Sequence, residues 1–302
     1  GISGMGKSSW NRWYMVELCK MNPSLKFVLY TPESRPVSRE YVKMAEIMAM
    51  GAIQENYNNS MSDIQLDAAL EWIEKHFIIV NPDEKNFFAF GKKDDKKSPK
   101  ALNSILDYVL YLKRTQGVSG FLIDAWNKID HQRESNKLSE TDFISRELDR
   151  ILNFLELEDL ACTIIAHPTK MERKPSKNYK EPGLYDIKGS SAWYEKADIG
   201  IVIHRDKWTK TDKKNKNDEY IYEIDNNAPS KFICEKMKFD ELGIEGECEM
   251  WMDRRKGDRF VFSDPYGNTY EAKKDKEKKK QISLPVGETT VDEILGDMTT
   301  PF

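Results

Sequence analysis

The chain has 302 residues, 47 lysines and arginines against 51 acids for a formal charge of −4, and is 39% hydrophobic and 32% charged. That length fits one large domain or two ordinary ones with a real core, which excludes a fully disordered chain, and no window approaches the about 18 consecutive apolar residues of a membrane span. Four scattered cysteines without C-x-x-C spacing argue against a disulfide scaffold or zinc cluster and for a cytosol-like compartment, while near-neutral charge leaves nucleic-acid contact to local patches.

The first residue already lies inside a motif, with no initiator methionine, signal peptide or leading strand, so the sequence reads as part of a longer protein. Residues 8–20 predict a helix and 26–30 (K-F-V-L-Y) a short buried strand. Pro36 opens a second helix that Gly51 ends. Leu66, Ala69, Leu70 and Ile73 keep helical spacing, and F-I-I-V at 77–80 is a strand. Leu102, Ile105, Leu106, Val109 and Leu112 form one helical face, followed by the strand G-F-L-I at 120–123. Ser139 with Asp142 three residues on is a weak capping box for a helix to about Leu157. Strands follow at 161–166 and 199–203.

Alternation of this kind predicts an α/β fold with a mostly parallel sheet flanked by helices on both faces. After Arg205 the runs at 220–224, 231–238, 247–251 and 259–263 predict antiparallel strands added at the C-terminal edge, with a turn at D-P-Y-G-N, 264–268. The charge-rich segments 92–100 and 207–219 read as solvated loops. Residues 1–270 form the expected domain, and 271–302 a charged, mostly disordered tail with a basic arm as the alternative.

Gly1-Ile-Ser-Gly-Met-Gly6-Lys7-Ser8 satisfies G-x-x-x-x-G-K-[ST]. Glycines at 1, 4 and 6 let backbone N–H groups converge on phosphate oxygens without Cβ clashes. Lys7 would place its charge between the β- and γ-phosphates, Ser8 would ligate Mg²⁺, and the helix start adds its positive dipole end. About one chain in a hundred of this length would carry the pattern by chance, given ordinary glycine usage. A helix-compatible segment directly after it lowers those odds.

Two carboxylates suit the same site. Asp124 closes the apolar strand G-F-L-I-D, the end that faces nucleotide in such sheets, and would hold Mg²⁺ through water. Glu33, just past the strand ending at Tyr30, could orient or deprotonate the attacking water; the alternative is a solvated loop glutamate. His167 ends the strand at 161–166 and could donate to a phosphate oxygen, a lone strand-end histidine being otherwise structural. Lys170, Lys188, Gly189 and Ser190 offer the cations, close-approach glycine and hydroxyl that track a phosphate backbone, with Arg173 and Lys174 nearby. Trp193 could stack on a base, although a place on a short helix favours packing.

With these pieces in order, residues 1–263 resemble the RecA-type motor domain of ring-shaped replicative helicases, in particular the Twinkle and phage primase–helicase branch, with bacterial DnaB more distant. G-M-G-K-S-S resembles the family's phosphate loop, with Ser9 as a further nucleotide contact, and F-L-I-D-A-W its second acidic motif. I-I-A-H-P-T-K resembles the strand that carries a γ-phosphate-sensing histidine, here His167. D-I-K-G-S-S-A-W-Y-E-K-A-D resembles the DNA-contacting loop and the helix after it. I-V-I-H-R-D puts Arg205 where the family has an arginine near the nucleotide at the subunit interface, and C-E-K-M-K-F resembles a strand that reaches the neighbour's ATP site.

Two departures stand out. Aligning on Ser34 puts Pro32 at the catalytic glutamate's position and moves Glu33 one residue on. Lys238 occupies the arginine-finger position and lacks the planar fork that clamps phosphate.

The resemblance implies ATP and Mg²⁺ as cofactors, and a homo-hexamer on single-stranded DNA moving 5′ to 3′. Lys7, Ser8 and Asp124 would come from one subunit and Arg205, Lys236 and Lys238 from the next. Primase and DNA polymerase are the implied partners, with no membrane. A RecA-type recombinase, or a nucleotide-binding assembly module with little turnover, are the alternatives. Because P-loop folds bury a leading strand at the sheet centre, the chain as given is expected to be poorly stable and to hexamerise badly.

Overall fold

A computed structural model describes residues 1–53, 60–81, 100–130, 139–188, 190–216, 220–253, 259–263 and 269–270. Helix α1 (Lys7–Met21) leads into β1 (Phe27–Tyr30), then α2 (Ser38–Ala49), α3 (Asp63–His76) and β2 (Phe77–Val80). Next come α4 (Leu102–Gln116), β3 (Gly120–Asp124), α5 (Glu140–Glu158), β4 (Ala161–Ile165), the short α6 (Ser190–Lys196) and β5 (Ile199–His204). The remaining strands are β6 (Trp208–Lys214), β7 (Tyr220–Ile224), β8 (Ser230–Met237), β9 (Gly246–Asp253), β10 (Arg259–Ser263) and β11 (Thr269–Tyr270).

Strands β2-β1-β3-β4 form a parallel sheet in that order. Every residue of β1 and the first four of β3 are buried, as continuous apolar runs require when helices cover both faces. The side chains alternate between two cores. Phe27, Leu29, Phe77 and Leu122 pack with Val16, Cys19, Met44 and Ile73 of α1–α3. Val28, Tyr30, Phe121 and Ile123 pack with Val109, Leu112, Leu148 and Ile151 of α4 and α5. Trp193 of α6 joins the second core, 7% exposed and edge-on to Trp126 at 5.2 Å, so packing is its role.

Local chemistry sets the helix ends. Ser139 Oγ accepts from Asp142 N at 3.2 Å at the start of α5. A full capping box that sequence reading passed over opens α3: Gln65 N donates to Ser62 Oγ and Ser62 N to Gln65 Oε1.

Two expectations change after Arg205. The antiparallel strands do not extend the edge of the four-stranded sheet; β8, β9, β10 and β11 build a second sheet, ordered β11-β10-β9-β8-β5, with β5 on its margin. Ile203 and Met250 tie this second sheet to the first core. Residues 208–214, read as part of a solvated loop, form β6, and its partner is β7 in a separate two-stranded sheet. The reason is that no residue of β6 is buried, so no apolar alternation marks it. The turn at 264–268, the tail 271–302 and all of 92–100 but Lys100 lie outside the described residues.

Parallel pairing puts the C-terminal ends of β1, β3 and β4 along one rim. Thr31–Ser34, Asp124 and His167 all follow those ends.

Candidate nucleotide-binding site

A cleft of about 1080 Å³ opens at this rim. Its walls are the phosphate loop from Ser3 to Ser9, then Glu33, Asp124 and His167, with Arg205 and Lys207 after β5, the turn at 226–228, and Trp251 and Met252 of β9. That is ample room for a nucleotide-sized ligand.

The loop takes its shape from glycine. Gly4 and Gly6 have φ of 73° and 96°, a region costly for any residue with a Cβ, and Gly6 is the N-cap of α1. Lys7 Nζ donates to Ile2 O at 2.7 Å and Lys207 Nζ to Gly4 O at 2.6 Å, so two ammonium groups fasten the loop. Burial pushes Lys7 down from 10.5 to about 8, against the pull of Asp124 and Glu33. Gly1 does not line the cleft. It abuts β5, where an added Cβ would stand 2.3 Å from Ile203 O.

Asp124 and Ser8 meet at the floor. The Ser8 hydroxyl hydrogen-bonds the Asp124 carboxylate; burial still raises the acid above its ordinary range, with Glu40 and Glu33 adding to the rise and Arg12 opposing it. A buried carboxylate beside a serine hydroxyl is a donor set for a hard cation such as Mg²⁺, which takes few protein oxygens and completes its shell with water and phosphate. The residues therefore fit that ion. Among the described residues no cluster of three or more His, Cys, Asp or Glu forms an all-protein metal cage.

Glu33 is half exposed and pairs with Lys128 at 3.2 Å. The loop that carries it is anchored from below. Ser34 Oγ donates to Glu40 Oε1 at 2.6 Å, Asn81 Nδ2 donates to Ser34 O at 3.1 Å, and Thr31 N to Val80 O. Glu40 in turn accepts both arms of Arg12, at 2.5 and 2.7 Å, and is 4% exposed. Burial alone would raise Glu40, but the Arg12 fork and Ser34 hydroxyl outweigh it and hold the carboxyl below its usual range. Arg12 lies one turn beyond Ser8 on α1, so a buried ion pair joins the phosphate-loop helix to the Glu33 loop. Sequence reading missed Arg12, Glu40, Lys128 and Lys207; only the spacing of Arg12 from Ser8, four residues along one helix face, was a usable signal.

His167 is pushed below its ordinary value by burial and by the Lys7 charge, and is neutral at pH 7. Its Nδ1 is buried without a hydrogen-bond partner. Arg205, expected to serve an adjacent subunit, lines the cleft of its own chain and donates to the carbonyls of Asp225 and Asn226. Lys236 and Lys238 do not line that cleft. Lys236 caps α6 through the Tyr194 and Glu195 carbonyls, and Lys238 pairs with Asp198 at 2.7 Å.

Of the expected DNA contacts, Lys170 is exposed and Lys188 pairs with Glu140 at 2.7 Å. Ser190 begins α6, and Gly189 lies outside the described residues.

No protein-family model matches the chain. The Twinkle homolog protein, chloroplastic/mitochondrial, of Arabidopsis thaliana is 25% identical over 211 residues, 68% of this chain and 28% of the relative. A solved structure of a DnaB-like replicative helicase, described with its interactions with primase, superposes with a TM-score of 0.59 and 17% identity over 85% of this chain and 56% of that one. The chain thus spans well under two thirds of either protein. The chain is thus similar in sequence to the first and in fold to the second, and its architecture is a RecA-type α/β fold. No helix among the described residues is long and apolar enough to cross a membrane.

Proposed function

We propose that this chain is the motor of a replicative DNA helicase, binding ATP in the cleft and using its hydrolysis to move along single-stranded DNA and unwind duplex, 5′ to 3′. The observation that carries the reading is the meeting of Ser8 with Asp124 beneath Lys7, with Glu33 and His167 on the walls.

Lys7 and the backbone amides of the glycine turn bind the phosphates, whose negative charge offsets the burial that lowers the lysine's pKa. Ser8 and Asp124 would hold Mg²⁺, which when bound supplies charge neutralisation at the β- and γ-phosphates. Glu33 takes or orients the proton of the attacking water. Its distance from Lys7 and Asp124 is kept by the Ser34–Glu40–Arg12 chain, while Lys128 supplies it with a counter-charge that leaves one side open to solvent. His167, neutral and with one ring nitrogen unpartnered, can exchange a hydrogen bond with a phosphate oxygen at one end of the 168–188 segment.

A hexameric ring around one DNA strand, with Lys236 and Lys238 released from their own α6 and Asp198 to meet the next subunit's nucleotide, completes the proposal; primase and polymerase are its expected partners. The test is DNA-stimulated ATPase of the complete protein against Lys7→Ala. Stimulated hydrolysis that vanishes in the variant supports the reading, and equal rates in the two proteins refute it.

A further inference from the structure

Lys207 stands outside the glycine motif, yet its side chain comes to the phosphate loop. Its Nζ donates to Gly4 O at 2.6 Å, and a Cβ added at Gly4 would stand 3.5 Å from the same nitrogen. Lys7 does the like from within the loop, with Nζ on Ile2 O at 2.7 Å. Two ammonium groups therefore rest on loop carbonyls two residues apart, and both lysines line the cleft. For Lys7 that resting place is compatible with binding phosphate, and the same holds for Lys207.

The position of Lys207 is fixed through its backbone. It lies in the link between β5 and β6, where Lys207 O accepts from Asp225 N at 2.8 Å. The next residue, Trp208, is clamped by the Asn178 amide: Asn178 Nδ2 donates to Trp208 O at 2.8 Å, and Trp208 N donates to Asn178 Oδ1 at 2.9 Å. Asn178 is itself 7% exposed, so the clamp is shielded from water. With the backbone held on both sides, only the lysine stem has room to move. A phosphate oxygen is a stronger acceptor for its ammonium than a neutral carbonyl, because both partners are then ionised.

The charges of the cleft give that movement a direction. Its walls carry Lys7, Arg205 and Lys207 against Glu33 and Asp124. A nucleoside triphosphate remains anionic even with a divalent cation bound, so it gains from each cation within reach. Lys238, at the arginine-finger position, is paired with Asp198 and does not line this cleft. Lys207 is the lysine from outside the motif that does.

We propose that Lys207 is a second phosphate-binding lysine, exchanging Gly4 O for the polyphosphate chain of the nucleotide. It supplies from the same chain a charge that the finger position does not deliver to this cleft. The inference rests on the reading of the cleft as a nucleotide site and adds a residue to it. No covalent bond changes; an N–H passes from a carbonyl acceptor to a phosphate acceptor.

The test is binding to the full chain, with Mg²⁺ and across a range of salt, of a fluorescent non-hydrolysable ATP analogue and of tripolyphosphate competing with it. Lys207→Met keeps most of the stem and removes the charge. It is expected to weaken both ligands on the order of tenfold and to flatten the dependence of affinity on salt, since one fewer ionic contact is left to screen. Lys207→Arg keeps the charge and retains both affinities and the salt dependence.

Weaker binding of Lys207→Met with an unaltered salt dependence would mark the residue as a fastener of the loop and overturn the inference. Unaltered affinity for both ligands would overturn it as well. Lys7→Ala separates this from the reading beneath it: loss of binding there, with full binding in Lys207→Met, ends the inference alone. A wild-type chain that binds neither ligand ends the nucleotide reading and the inference with it.

Discussion

The four-stranded parallel sheet and the β6–β7 hairpin use runs of comparable length in opposite ways. Phe27–Tyr30 is buried at every position, whereas Trp208–Lys214 is buried at none. In the sheet, burial on both faces fixes register, and the strand ends become a rigid rim that presents Glu33, Asp124 and His167 to one cleft. In the hairpin, pairing, ring–ammonium contacts and the Asn178 amide do the holding, and the side chains are left to solvent. Chemistry that needs tight placement sits on the first.

That contrast can be broken at several points. The largest effect is expected at the rim: Glu33→Gln should lower ATPase about 10²–10⁴-fold while nucleotide affinity, read by a fluorescent ATP analogue, stays close to wild type. A parallel loss of binding would mean that Glu33 shapes the cleft without acting on water.

Beneath it, Arg12→Ala leaves Glu40 buried without its ion-pair partner and should cost about 3–5 kcal/mol in urea unfolding. A change smaller than about 1 kcal/mol would show the pair to be solvent-relaxed and the Glu33 loop to be anchored elsewhere.

Within the sheet, Leu122→Ala should cost about 2–5 kcal/mol. Ile224→Ala on the exposed hairpin, where the side chain is 55% exposed, should stay within about 0.5 kcal/mol. Equal losses would dissolve the distinction between the two regions.

The smallest expected effect is a slope. Lys7 in the ligand-free protein loses its proton near pH 8, and phosphate binding restores it. Nucleotide binding therefore takes up a proton above about pH 8, and affinity falls by up to about tenfold per pH unit between there and about 10.5. For the ligand-free fold the sign is opposite: the unfolded lysine binds the proton that the folded one has lost, so stability rises with pH across that window. Calorimetry in buffers of different ionisation enthalpy reads the uptake directly, and an affinity flat with pH would place Lys7 outside the phosphate contact.

The parallel half of the fold was legible because fully buried strands write themselves as unbroken apolar runs, F-V-L-Y, F-I-I-V and G-F-L-I among them, and because the glycine turn leaves a spacing that few other structures need. The meeting of Ser8 and Asp124 followed from those two signals together. The first strand of the hairpin was not legible, since W-T-K-T-D-K-K has no apolar face to mark it, whereas the run 220–224 that pairs with it was. Nor were Arg12 and Glu40, which lie 28 residues apart and look like ordinary polar positions on two amphipathic helices.

Local sequence determined what can be decided by nearest neighbours along the chain: where helices start, which runs must be buried, and that a glycine turn precedes a helix. Tertiary structure decided which charges answer one another. It brought the Arg12 fork to Glu40, turned Arg205 into its own chain's cleft, tied Lys236 and Lys238 to α6 and Asp198, and brought Lys207 to Gly4. An electrostatic interaction depends on distance in space and on exclusion of water, and neither quantity exists until the chain has folded.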